Sequence, residues 1–248
     1  ASTIYQTGLT YLSTDGINWN ARARLEPQYA TAFGSGTWVT VGGDIGTSPD
    51  GLTWTDRSVP TTSTVTLRGV AFGAGQFVAV GDSGYIFTSP PPGTTWTQRS
   101  ASTSANFNGI TYANGLFVVV GGPELQAGIN GARTSSDGIT WTTRNTGING
   151  GTLNAVTYGG GLFVAVGNQG ALSTSPDAIT WTARTPIANQ SFTSIVYSTS
   201  RFTAVGAGGA VYVSPDGLTW SPRTSGTSAN WGGITLLGTN LLAVGSGE

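Results

Sequence analysis

The chain has 248 residues, 39 of them glycine, with 10 arginines against 11 acidic residues and no lysine, histidine or cysteine. That balance lacks the cationic field that nucleic acid or an anionic membrane surface requires. It also excludes disulfides, thiolate metal sites and the usual imidazole base. Glycine without a three-residue period, beside 8 tryptophans, 8 tyrosines and 9 phenylalanines, points away from collagen-like or disordered chains and towards many tight turns around a packed core. No apolar run approaches the roughly 20 residues a bilayer span needs; residues 116–120 are typical, and strand-sized.

Taken in chain order, one pattern recurs six times. The head, residues 11–19, ends on Ser13-Thr14-Asp15-Gly16-Ile17-Asn18-Trp19. The next copy runs from Phe33 through residues 38–42 to Ser48-Pro49-Asp50-Gly51-Leu52-Thr53-Trp54. The third carries Phe72, residues 77–81 and a degenerate turn of three prolines ending on Gly93 and Trp96. The fourth, fifth and sixth repeat the order with Tyr112, Tyr158 and Tyr197, then residues 117–121, 163–167 and 202–206, then turns closing on Trp141, Trp181 and Trp220. The tail, residues 234–245, matches the first two strands of a copy and stops. Trp19, Trp54, Trp96, Trp141, Trp181 and Trp220 are 35, 42, 45, 40 and 39 residues apart, a period that suits four strands in about 40 residues.

Each copy reads as four short strands with glycine-rich turns; in the fifth they are expected over residues 155–158, 162–166, 171–174 and 180–184. Pro-Asp-Gly explains the turn before each tryptophan, because proline presets φ, aspartate bonds its own backbone and glycine accepts a positive φ. Ala178 stands where that glycine is expected, at a cost of roughly 1–2 kcal/mol if left-handed. The tryptophans are expected to pack between neighbouring repeats. The fold expected is all-β: a six-bladed β-propeller of four-stranded antiparallel blades in a single domain, 1–248. One blade is shared by residues 226–248 and 1–24, so that strand pairing between the ends removes exposed edges. The other blades fall at about 25–59, 60–100, 101–146, 147–186 and 187–225.

The Ser-x-Asp-Gly-x-x-Trp turns resemble the Asp-box, or BNR, repeats of sialidase-like propellers, and those of photosystem-assembly-factor and sortilin-type propellers. The resemblance covers the whole chain, although Asp50 and Gly51 are adjacent where the usual box places one more residue. It implies the propeller fold; the turn itself occurs in proteins of unrelated activity.

Two readings compete at each candidate site. Asp15, Asp50, Asp137, Asp177 and Asp216 are either turn caps or carboxylates for metal or acid–base work; one per blade, they do not converge on one substrate. Arg22, Arg57, Arg99, Arg144, Arg184 and Arg223 each stand three residues after a box tryptophan. They are either architectural, paired to a box carboxylate or to backbone oxygens of the next blade, or half of a sugar site with the indole. Sialidase chemistry needs an arginine cluster, a tyrosine–glutamate pair and an acid. Outside the repeat only Arg24, Arg68, Arg133 and Arg201 remain, with Glu26, Glu124 and Glu248 as the glutamates, so no catalytic or metal residue and no cofactor is expected.

Departures from the repeat mark the expected ligand site. The fourth copy inserts residues 122–131 between its second and third strands, and insertions in repeat proteins favour the binding face. Glu124, Gln126 and Asn130 on that loop are therefore candidates, together with Arg68, Asn108, Asn154 and Trp231 in the blade-to-blade connections. Phe107, Phe192 and Trp231 align with Leu67 and Leu153, which favours core packing for them. The function expected is a secreted or surface recognition module, lectin-like or adhesin-like, with a glycan or protein partner. The alternative is a structural or assembly component of a surface layer, filament or virion, oligomeric in larger assemblies; a glycoside hydrolase or sialidase-like enzyme ranks below both.

Overall fold

The computed structural model describes residues 9–12, 18, 20–23, 27–61, 64–123 and 129–246. β1 (Leu9–Leu12) pairs with β2 (Asn20–Ala23) as a two-stranded sheet. Five four-stranded sheets follow, each in simple up-and-down order. The first is β3 (Gln28–Gly34), β4 (Thr37–Gly42), β5 (Ile45–Ser48) and β6 (Thr55–Arg57); the second is β7 (Leu67–Gly73), β8 (Gln76–Gly81), β9 (Ile86–Ser89) and β10 (Thr97–Arg99). The third is β11 (Phe107–Ala113), β12 (Leu116–Pro123), β13 (Ile129–Ser135) and β14 (Thr142–Asn149). The fourth is β15 (Leu153–Gly159), β16 (Leu162–Gly167), β17 (Leu172–Ser175) and β18 (Thr182–Ala183). The fifth is β19 (Phe192–Ser198), β20 (Arg201–Gly206), β21 (Val211–Ser214) and β22 (Ser221–Arg223). β23 (Asn230–Leu237) and β24 (Asn240–Ser246) close the chain as a second two-stranded sheet.

Position within a sheet dictates the residue pattern. Second strands such as Phe77-Val78-Ala79-Val80 are buried on both faces and so run apolar instead of alternating. Fourth strands are largely exposed and, except for β14 in the third sheet, only two or three residues long, as in Thr55-Asp56-Arg57. First strands carry a β-bulge after their opening residue, between Leu67 and Gly69 and between Leu153 and Ala155. This bulge is why β15 starts two residues ahead of the expected 155, while β18 is trimmed to two residues at the exposed edge. The first and second strands are joined by two-residue turns with both φ positive, among them Ala74-Gly75 (45° and 75°) and Thr199-Ser200 (45° and 63°), the twist-matched hairpin geometry.

The insertion in the third sheet lengthens strands. Between second and third strands the second, fourth and fifth sheets have a single-turn 3-10 helix, at Asp82–Gly84, Asn168–Gly170 and Ala207–Gly209. In the third sheet β12 instead continues to Pro123 and β13 resumes at Ile129.

The chain divides into two compact units, residues 1–119 with 133–142 and residues 120–132 with 143–248. In the first, β3, β7 and β11 lie side by side. Its core joins Val39, Val41, Leu67, Phe77 and Trp96, with Val78, Val80, Phe107 and Phe117 beyond. In the second, β15, β19 and β23 lie side by side, around Val164, Val166, Leu172, Phe192 and Phe202. Neighbouring first strands approach closely where an aromatic ring covers a glycine. A Cβ on Gly34 would lie 2.1 Å from the Phe72 ring, on Gly73 2.1 Å from Tyr112, and on Gly159 1.9 Å from Tyr197.

Candidate functional site

The box turn is built by two side chains. In the first sheet Ser48 Oγ donates to Asp50 Oδ1 (3.0 Å) and accepts the N–H groups of Asp50 and Gly51. Asp50 Oδ1 in turn accepts the N–H groups of Leu52 and Thr53, both at 2.8 Å. Asp137, Asp177 and Asp216 repeat the arrangement with the N–H groups two and three residues on. Hydrogen bonds from N–H groups favour the carboxylate over the acid. The Thr140 N–H, followed by that of Ile139, accordingly pulls the Asp137 pKa down to about 2. Asp50, Asp177 and Asp216 are lowered from the same cause, chiefly by Thr53, Thr180 and Thr219. These carboxylates are charged, exposed and engaged with their own turns. The degenerate turn of the second sheet, which has no aspartate, closes instead by a Gly93 N–H to Pro90 carbonyl bond of 2.8 Å.

Five box tryptophans are pinned to their own turns, and Trp96, Trp141 and Trp220 are inserted towards the preceding sheet. Nε1 of Trp54, Trp96, Trp141, Trp181 and Trp220 donates to the carbonyl three residues earlier, at 2.9–3.2 Å. Trp96 packs with Val39 and Val41 of the first sheet, and Trp220 with Val164 and Val166 of the fourth. The box glycines pack the same way: a Cβ on Gly217 would sit 2.9 Å from Val164, and φ there is +73°. Ala178 does adopt a left-handed φ, +62°.

Three repeat arginines have a different partner from the one expected. Nε of Arg57, Arg99 and Arg184 donates to Thr47, Thr88 and Thr174 Oγ1 at 2.8–2.9 Å, a threonine of their own sheet, in place of a box carboxylate or the next sheet's backbone. The register explains it. Arg57 is paired with Ile45, and Thr47, two residues along, shares its face of the pleat. Arg223 Nη1 donates to the Pro222 carbonyl.

Arg68 and Asn154 occupy one structural position, the bulge of the first strand at the end of the sheet that holds the 3-10 turn, and Asn108 is the second residue of β11. Arg68 makes a two-pronged ion pair with Asp82, Nε to Oδ1 at 2.5 Å and Nη2 to Oδ2 at 3.0 Å. Asn154 Nδ2 donates to Asn168 Oδ1 and across to the Phe192 carbonyl, both at 2.8 Å. Thr193, at the same position one sheet later, donates to the Trp231 carbonyl at 2.6 Å. Asn108 is half-buried. Phe107 and Phe192 are buried, with Leu67 and Leu153, and Trp231 is half-buried with its Nε1 enclosed and unbonded. A shallow cleft nearby is lined by Ser83, Tyr85, Gln98 and Arg99. Arg133 is buried in β13, whereas Arg201 is exposed beside the turn that opens β20.

Glu124 and Gln126, Asp15 and Trp19 lie outside the described residues; Asn130 and Arg22 are placed only by their strands, β13 and β2. Among the described residues no three His, Cys, Asp or Glu side chains are grouped to hold a metal, and no helix is long and apolar enough to cross a membrane. Sequence reasoning passed over the box-turn tips. Leu52, Ile139, Ile179 and Leu218 directly follow the box glycine or alanine and are 44–49% exposed. The signal was present, an aliphatic at that position in every box with an aspartate, Ile17 included, but alternation counts such residues as core.

No protein-family model matches the chain, and no curated protein matches it in sequence. Solved structures resemble it in fold. YCF48 from Cyanidioschyzon merolae superposes with a TM-score of 0.68 at 16% identity, over 92% of this chain and 83% of that one. A structure of YCF48 bound to a D1 peptide gives 0.70 at 17%, over 93% and 79%. A catalytically inactive virginiamycin B lyase from Staphylococcus aureus, with quinupristin, gives 0.76 at 13%, over 96% and 80%. These neighbours are β-propeller proteins, some binding and some catalytic. The likeness extends to fold alone: the chain is an all-β protein of the propeller kind, built from repeated four-stranded sheets.

Proposed function

We propose that this chain is a non-catalytic assembly or structural component that works by docking onto protein. The observation that carries the reading is the state of its polar groups. Box carboxylates are bonded into their turns, Arg57, Arg99 and Arg184 to threonine hydroxyls, and the indole N–H groups to turn carbonyls. The exposed tips of those turns, Leu52, Ile139, Ile179 and Leu218, are aliphatic. The lectin-like reading needs guanidinium groups and indoles turned to a sugar; here Nε of Arg57, Arg99 and Arg184 and the box indole N–H groups are engaged in internal bonds instead. The solved structure of a propeller with a D1 peptide supports a protein partner for this architecture. On this reading the chain forms six blades, and β23–β24 with β1–β2 are the inner and outer halves of one of them. Cross-linking and mass spectrometry on chain isolated from its source should find a stoichiometric protein partner. Saturable binding on a glycan array, with no protein partner recovered, would overturn the reading.

A further inference from the structure

The large exposed apolar side chains are confined to one end of the sheets. Antiparallel order puts the tight turn between the first two strands and the box turn between the last two at the same end of each sheet. Leu52, Ile139, Ile179 and Leu218 are the tips of four box turns. Phe33 stands beside the tight turn after β3, and Leu236 faces Leu241 across the last hairpin beside Gly238. At the opposite end, with its bulges and 3-10 turns, no large hydrophobic among the described residues is so exposed.

Within each unit these tips share a face, because neighbouring sheets stand in matching orientation. In the first unit Phe72 covers Gly34 and Tyr112 covers Gly73 at the turn end, and Gln76 of the second sheet donates to the Asp137 carbonyl in the box turn of the next. In the second unit Tyr197 covers Gly159 at the turn end, while Asn154 and Thr193 reach the opening residues of the next first strand at the other.

The face is chemically patterned. Each aliphatic tip follows its box aspartate by two residues, giving the pairs Asp50/Leu52, Asp137/Ile139, Asp177/Ile179 and Asp216/Leu218. Each carboxylate gives one oxygen to its turn and keeps its charge at the surface. Arg201 is the cation at this end of the second unit. Repeated apolar tips of this kind mark protein interaction surfaces. The carboxylates beside them repel anionic lipid and select a cationic complement. A second copy is a poor complement, since the chain has no lysine and Arg57, Arg99 and Arg184 are bonded to threonines while Arg68 is paired with Asp82.

We infer that in each unit the box-turn end of the sheets is a docking face for a different protein, through a segment that carries aliphatic and cationic side chains together. The inference rests on the assembly reading and adds the face and the partner chemistry. Fluorescence anisotropy of the full chain with a labelled peptide of alternating leucine and lysine tests it, with leucine–glutamate and serine–lysine peptides as controls. The expected result is saturable binding of the leucine–lysine peptide alone, weakened by salt. It should fall by roughly tenfold or more in L52S/I139S/I179S/L218S, as the loss of central anchors does, with thermal unfolding unchanged. Should that variant not fold, D50N/D137N/D177N/D216N keeps the acceptor oxygens and should bind more weakly with a reduced salt dependence. Equal binding of all three peptides, or undiminished binding by the variants, overturns the inference. A chain that recovers a protein partner from its source yet ignores the leucine–lysine peptide loses this face and keeps the assembly reading; a chain with no protein partner loses both.

Discussion

A box aspartate replaces a piece of missing backbone pairing. Its Oδ1 accepts two N–H groups that a turn this tight leaves without carbonyl partners, and the serine two residues earlier orients it through a third bond. The interaction is charge-dependent, so it ties stability to pH with a definite sign. The folded carboxyl groups titrate below the ordinary aspartate range, Asp137 at about 2. Their contribution is therefore complete above the unfolded value and disappears as pH falls through the folded one. Thermal unfolding should be insensitive to pH at neutrality and should shift to lower temperature below about pH 4. Replacing the four described box aspartates with asparagine should flatten that acid limb; an identical limb in the variant would remove the box carboxylates as its cause. The arginines three residues past each tryptophan illustrate the opposite lesson. Their regular spacing suggests recognition, whereas the threonine partners of Arg57, Arg99 and Arg184 make a brace across two strands of one sheet.

At the scale of the strand, glycine and aromatic residues are two halves of one contact. In three places the aromatic residue five positions ahead of the second-strand landmark lies over the glycine that ends the neighbouring first strand, Phe72 over Gly34, Tyr112 over Gly73 and Tyr197 over Gly159. Gly73→Ala should cost about 1–3 kcal/mol, because the new methyl has to displace a ring that is already seated. Tyr112→Leu should recover part of that loss, so a double-mutant cycle by denaturant unfolding should show a coupling of the order of 1 kcal/mol. Simple additivity would mean the two residues do not share the contact. The bulge plays the matching part at the other end, where Asn154 and Thr193 hand a hydrogen bond to the next sheet. Both linkages join residues about 38 positions apart, which is why the repeat period and the stacking of sheets are the same fact seen twice.

At the scale of the molecule, the two-stranded sheets at the ends are what distinguish this chain from a plain array of four-stranded units. If they are halves of one blade, a circular permutant that joins residue 246 to residue 9 and opens the chain between β6 and β7 should fold and unfold at a higher temperature than the parent, since a covalent link replaces a non-covalent seam. A permutant that loses the native circular dichroism would count against the shared blade. The tryptophan spacing, the two apolar landmarks and the Ser-x-Asp-Gly turn were sufficient to place the strands and the box geometry, because both depend on residues within a few positions of one another. Ser48, Asp50, Gly51 and the Trp54 indole N–H bond to one another and to their neighbours within a single turn. The extra length around residues 122–131 was legible as an insertion but not as added strand. The partners of Arg57 and Arg68 and the exposure of Leu52 and Ile179 depend on register and on what the next sheet covers. Those are properties of strands brought together after folding, and an aliphatic side chain looks the same in the sequence whether a neighbour buries it or leaves it facing water.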